Sequence, residues 1–102
     1  MIPKAINICG VPHEIKLCKD EYTATSVHFG EIDVKKCVIK IDPDMPEPMQ
    51  MQTLMHEWLH GALVAIGQKD LIGDETLIQG LAAAMYQTFE VKLEQSKEGE
   101  HD

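Results

Sequence analysis

The sequence MQTLMHEWLHGALVAI at residues 51–66 decides the fold, because its apolar side chains recur at intervals of three and four residues. That spacing predicts an amphipathic helix with one buried stripe. Prolines at positions 43, 46 and 48 cannot lie in a helix interior, so we expect the helix to begin near Pro46 to Pro48. Gly67 follows the last apolar residue and is expected to end the helix.

Two histidines stand four residues apart in this helix, in the motif His56-Glu57-Trp58-Leu59-His60. One helical turn places both imidazoles on the same face, where they can bind a single zinc ion. Glu57 is then placed to take a proton from the water bound to the metal. The motif therefore predicts one Zn²⁺ per chain, with His56 and His60 as ligands and Glu57 as the general base. We expect Trp58 and Leu59 to pack the helix onto a sheet.

A catalytic zinc site usually has three protein ligands and one open position, so a third ligand is required. Glu75 is the preferred candidate. The connection from Gly67 to Asp74 could span about 25 Å, which is enough to return the chain to His60. The alternatives are Asp70, Asp74 and His28.

Alternating apolar and polar residues before the helix predict two strand pairs. The first pair covers residues 4–9 and 14–18 around a turn at Gly10-Val11-Pro12, beside which His13 is expected to be exposed. The second pair covers residues 24–29 and 37–41 around a loop at 30–36. We therefore predict an α+β fold in which a small, mostly antiparallel sheet packs on the motif helix and on a second, C-terminal helix.

The second helix is predicted from about Asp74 to Leu93, with Asp74 as its cap. Gly80 is expected to let this helix lie close against the motif helix. Residues 1–95 should form one domain, and residues 96–102 an acidic, frayed tail. The predicted buried stripe of the second helix consists of Leu77, Ile78, Leu81, Met85, Phe89 and Leu93.

The order of these parts resembles the ImmA/IrrE family of small zincin metallopeptidases and related phage-encoded proteins. The resemblance covers residues 24–90 and rests on the H-E-x-x-H helix and on a second helix opening with Glu75-Thr76-Leu77-Ile78-Gln79-Gly80-Leu81-Ala82-Ala83. It implies a minimal zincin-like domain of the gluzincin type, with Glu75 as the third zinc ligand. The family commonly has an asparagine or similar polar residue where Gln79 stands. The family's appended DNA-binding helices are not expected in residues 1–102, so the family's regulatory roles are not transferred.

Composition narrows the range of partners. The net charge is −8 and all the basic residues are lysines, which disfavours direct nucleic-acid binding. No apolar run is long enough to cross a bilayer, so we expect a cytoplasmic protein that does not bind membranes. The odd set of cysteines, Cys9, Cys18 and Cys37, indicates buried free thiols rather than a disulfide framework. The oligomeric state is left open.

The leading hypothesis is a zinc metalloendopeptidase that hydrolyses a protein or peptide substrate. Tyr22 and His28 are candidates for contacts to the oxyanion or the substrate, because the strand region could border the cleft. The alternative is a zinc-binding interaction module or regulator without turnover, which would have no use for Glu57 as a base. A third hypothesis is a metal-free adaptor carrying the motif by accident.

Overall fold

Residues 2–19 and 29–89 are described by the computed structural model of this chain, and within them four strands and three helices form an α+β domain. The helices are α1 (Glu47–Ala65), α2 (Lys69–Ile72) and α3 (Glu75–Thr88). The strands are β1 (Ala5–Ile8), β2 (Val11–Leu17), β3 (Gly30–Asp33) and β4 (Val38–Ile41).

The first strand pair is the predicted hairpin, but its turn lies earlier than the predicted Gly10-Val11-Pro12. Cys9 and Gly10 form the turn, with φ values of +49° and +84°. Positive φ at both central positions belongs to a two-residue turn whose twist matches that of the flanking strands. Val11 therefore pairs with Ile8, and Pro12 lies within β2.

The sheet has the order β1-β2-β4-β3 and is mixed rather than simply antiparallel. The β1–β2 and β3–β4 pairs are antiparallel, whereas β2 and β4 run parallel. The two hairpins therefore meet through a parallel pairing in the middle of the sheet. This arrangement leaves β3 at one edge, where it packs against α1.

The second strand pair differs from the prediction in its first strand. The predicted loop at 30–36 contains β3, and the turn begins only after Asp33. The Asp33 side chain stabilises the turn at this position, because its Oδ1 accepts hydrogen bonds from the backbone N–H groups of Lys35 and Lys36 at 3.1 and 3.0 Å. Of the predicted strand 24–29, residues 24–28 lie outside the described part of the chain.

Helix α1 begins and ends within two residues of its predicted bounds. At its end, Gly67 has a φ of +76°, and backbone hydrogen bonds run from Gly67 N to Val64 O and from Gln68 N to Leu63 O. This pair of bonds is the Schellman motif, which terminates a helix through a left-handed residue. The chain is thereby turned back toward α1.

The core lies between the sheet and α1. Leu54 is fully buried, and the Trp58 indole packs on the core while donating a hydrogen bond from Nε1 to Asn7 O at 2.9 Å. At Gly61 the helix approaches the sheet so closely that an added Cβ would lie 2.7 Å from Ile8 Cδ1. A larger residue at this position would require the ends of the Ile8 and Ile32 side chains to shift. The buried strand residues of the core are Ile8, Ile15, Ile39 and Ile41.

Helix α3 is the predicted second helix, but it buries a narrower face. Ile78 and Ala82 are fully buried, whereas Leu77 and Leu81 are 37% and 43% exposed. The expectation for Gly80 is also wrong, because a Cβ there would have nothing within 4 Å. The small residue that is buried on this helix is instead Ala82. Residues 90–93 of the predicted helix, which include Leu93 of the stripe, and the tail 96–102 lie outside the described residues.

Two further side-chain expectations are wrong. His13 is only 6% exposed, because alternation along β2 places it on the same inward face as Ile15. Cys9 is exposed in its turn rather than buried, and Cys18 and Cys37 are half-buried. Within residues 2–19 and 29–89, the helices are too short or too polar to cross a bilayer.

Candidate metal centre

Helix α1 places His56 and His60 one turn apart, as the motif predicts. Their ring centroids lie 5.0 Å apart, and their side chains are 20% and 17% exposed. The rings are therefore largely shielded but still reach a groove between α1 and the edge strand β3. This position suits side chains that must bind a ligand from solvent.

Glu75 joins the two histidines from the first residue of α3. Its Oε1 lies 3.0 Å from His56 Nε2, and its Oε2 lies 3.1 Å from His60 Nε2. The Asp74 side chain is occupied elsewhere, since its Oδ1 caps α3 by accepting a hydrogen bond from Leu77 N at 3.0 Å. Asp70 does not belong to the cluster, and His28 lies outside the described residues.

The donor set fits a zinc ion. One donor atom from each of His56, His60 and Glu75 lies within 4.8 Å of the others. Among the described residues, these three side chains are the cluster that could hold a metal ion. Tetrahedral zinc with bonds of about 2.0–2.2 Å keeps its ligand atoms about 3.3 Å apart. The separation of 3.0 Å between His56 Nε2 and Glu75 Oε1 and that of 3.1 Å between His60 Nε2 and Glu75 Oε2 are close to that value.

Gln79 fixes the orientation of the first histidine. Its Oε1 lies 2.7 Å from His56 Nδ1 and accepts a hydrogen bond from it. The other ring nitrogen, Nε2, then faces Glu75. A histidine that donates its Nδ1–H in this way can bind a metal through the lone pair of Nε2. An outer partner on the second nitrogen is also usual for metal-binding histidines.

Glu57 lines the same groove without being one of the three clustered side chains. It is 8% exposed. Burial raises the pKa of its carboxyl to about 7, with smaller contributions from Glu75 and Glu31, while His56 acts in the opposite direction. A carboxyl that exchanges its proton near neutral pH is suited to general acid–base chemistry.

His60 is tuned toward its neutral form. Burial lowers the pKa of its imidazole, and the nearby Glu75 carboxylate only partly offsets this. Because a histidine binds metal through an unprotonated nitrogen, a lowered pKa reduces competition from protons.

The groove encloses about 730 Å³, and the sequence did not reveal several of its walls. Thr53 lies on α1 one turn before Glu57, and both face the start of β3. A Cβ at Gly30 would lie 2.8 Å from both Thr53 Cγ2 and Lys40 O, so a glycine is required for β3 to approach α1 here. Spacing on α1 could have indicated Thr53, but the contribution of β3 depends on strand order. The other newly found lining residues are Phe29, Glu31, Ile32, Val34, Val64 and Ile72.

The two candidates for oxyanion or substrate contacts, Tyr22 and His28, lie outside the described residues. Among the described residues that line the groove, Thr53 is the one hydroxyl side chain. The described part of the centre therefore consists of the three clustered side chains, Gln79 and Glu57.

Comparison of the chain with protein-family models, with curated proteins and with solved structures found no match. The fold and the site define an α+β domain with a mixed four-stranded sheet and a cluster of two histidines and one glutamate. The resemblance to the ImmA/IrrE family rests on the motif residues alone.

Proposed function

We propose that this protein is a zinc-dependent peptidase in which His56, His60 and Glu75 hold the metal and Glu57 is the general base. One observation carries the proposal: three side chains with zinc-ligand chemistry converge beside a separate, buried carboxyl in an open groove. A structural zinc site usually has four protein ligands, whereas three ligands leave a position for water.

The division of roles follows from the positions of the side chains. Bound zinc would supply Lewis acidity and lower the pKa of a water toward neutrality. Glu57 would receive the proton from that water and return it to the leaving amine. Gln79 would hold His56 so that its Nε2 faces the metal.

A peptide is the substrate class that the groove favours. Strand β3 lines the groove and lies at the edge of the sheet, where it pairs with β4 on one side. An extended peptide can add to such an edge through main-chain hydrogen bonds. The scissile bond would then lie between β3 and the histidines of α1.

The test is cleavage by the zinc-loaded protein of fluorescein-labelled casein and of a random-sequence peptide mixture. Wild type should cleave. Glu57→Gln should keep about one zinc per chain and lose about a hundredfold or more in rate, because it removes the base but no ligand. Glu14→Gln, a change at an exposed carboxyl on β2, is the control and should cleave as wild type does.

Equal cleavage by wild type and Glu57→Gln would refute the mechanism. Zinc binding without cleavage by any of the proteins would refute the peptidase proposal and favour an interaction module that keeps zinc without turnover.

A further inference from the structure

The groove continues past the metal cluster into a region that the proposed chemistry does not use. We name this region the apolar end of the groove; it is formed by Ile32, Val34, Val64 and Ile72. We propose that it binds an aliphatic or aromatic side chain of the substrate next to the scissile bond. This inference rests on the proposed function and adds the class of peptide that the site selects.

Spacing on α1 places the apolar end directly beside the metal cluster. His56, His60 and Val64 follow one another at intervals of four residues, so they lie on one face of α1. Each interval advances about 6 Å along the helix axis. Val64 therefore lies about two residues of extended peptide beyond His60, because a strand advances about 3.3 Å per residue. Two residues are also the interval at which side chains on one face of a strand repeat.

Strand β3 supplies the opposite wall. Gly30 lies beside Thr53 and Glu57, and Ile32 Cδ1 lies 2.8 Å from the position of a Cβ on Gly61. Strand β3 thus runs in the same direction as α1, and Val34 follows the end of β3. A peptide lying along β3 would pass the metal cluster and then the apolar end.

The four side chains of the apolar end come from different elements and remain accessible. Ile32 belongs to β3, Val34 to the β3–β4 turn, Val64 to α1 and Ile72 to α2. Val34 and Val64 are 40% and 42% exposed, although both are aliphatic. Burying such surface against an apolar ligand is favourable, and binding pockets commonly combine apolar walls with a few polar groups.

Acidic substrate side chains are disfavoured at the apolar end. Lys40 lies 3.8 Å from Glu31, but the described residues that form the walls of the groove include no lysine. An aspartate or glutamate next to the scissile bond would lose hydration at the apolar end and gain no cationic partner there. The site should therefore select against acidic residues at this position as well as for apolar ones.

The test compares zinc-loaded wild type with Val64→Glu by sequencing the products cleaved from the random-sequence peptide mixture. Wild type should cleave next to aliphatic or aromatic residues. Val64→Glu should lose about tenfold or more in kcat/KM at those sites and shift toward lysine and arginine. Ala65→Glu is the matched control, because Ala65 is the exposed neighbour of Val64 and does not line the groove. Val34→Glu repeats the test from the opposite wall should Val64→Glu fold poorly.

A binding measurement gives a readout besides cleavage. Hydroxamates of leucine and of aspartate can be titrated into zinc-loaded Glu57→Gln, with and without Val64→Glu. The leucine compound should bind about tenfold or more tightly than the aspartate compound, and Val64→Glu should abolish that preference.

The outcomes separate the two proposals. If wild type cleaves without preference for apolar residues, or if the Val64 and Val34 variants cut the same sites as Ala65→Glu, the apolar end is not a specificity site and the peptidase proposal stands. If none of the proteins cleaves, the peptidase proposal fails and this inference fails with it.

Discussion

At the scale of single residues, Glu57 is the side chain whose environment departs most from that of an ordinary carboxyl. It lies on the face of α1 that meets β3, beside Gly30 and only 8% exposed. Its neighbours Glu31 and Glu75 add negative charge to the effect of burial. The metal-free protein therefore holds a carboxyl whose ionised form is costly, as expected where a residue is positioned for proton transfer rather than for stability.

This cost makes the stability of the metal-free protein depend on pH. Because the folded-state pKa is raised from 4.5 to about 7, the folded protein binds the extra proton over this range and loses stability as pH rises through it. At pH 8 the isosteric Glu57→Gln should be more stable than wild type by up to about 3 kcal/mol, and the difference should vanish toward pH 4.5.

Urea unfolding in EDTA at pH 5, 6, 7 and 8 measures this difference in the free energy of unfolding. Glu14→Gln serves as the control, since it removes one exposed charge and no buried carboxyl. A difference between wild type and Glu57→Gln that stays constant with pH would show that the burial of Glu57 has no such effect.

At the scale of elements, α3 contributes two residues of the metal centre from the same helical face. Glu75 and Gln79 are four residues apart, and they contact Nε2 and Nδ1 of the same imidazole, His56. The Asp74 cap and the Schellman turn at Gly67 fix where α3 begins relative to α1. The first turns of α3 therefore position both the third ligand and the outer partner of the first.

Gln79→Leu should weaken zinc binding about 10- to 100-fold, because His56 loses the acceptor that orients its ring. Gln87→Leu, two turns further along α3 and exposed, makes the same chemical change away from the centre and should leave zinc affinity at the wild-type level. Competition with a chromogenic zinc chelator measures both. Equal affinities for the two variants would remove Gln79 from the centre.

The elements also differ in how far the sequence could predict them. Helix α1 was predictable, because its apolar period, its preceding prolines and Gly67 all indicate the same bounds. The length of the connection allowed Glu75 to reach the histidines, but it left Asp70, Asp74 and His28 as alternatives. The prediction placed the first turn too late, because proline is typical of turns whereas Pro12 lies within β2.

Other features depend on tertiary packing, which the local pattern of apolar and polar residues in the sequence does not predict. The buried face of α3 follows Ile78 and Ala82, whereas the period alone gave equal weight to Leu77 and Leu81. The walls contributed by β3 depend on strand order, which puts this strand at the edge beside α1.

At the scale of the whole molecule, the metal centre would reinforce the packing of two helices that already contact each other. The ligands come from α1 and α3, so a bound ion would link the two helices across the α2 connection. Zinc that binds the folded chain and not the unfolded one adds its binding free energy to the stability of the domain. The acidic charge of the chain, −8, also favours the approach of a cation.

Calorimetric titration of the metal-free protein with Zn²⁺ tests the central claim most directly. Wild type should bind one ion per chain with release of protons, while His60→Ala and Glu75→Ala should each bind about a hundredfold or more weakly, because each leaves only two ligands. Glu57→Gln should retain the single site. Equal affinities in wild type, His60→Ala and Glu75→Ala, or no binding to wild type, would contradict the claim that these side chains form a zinc centre.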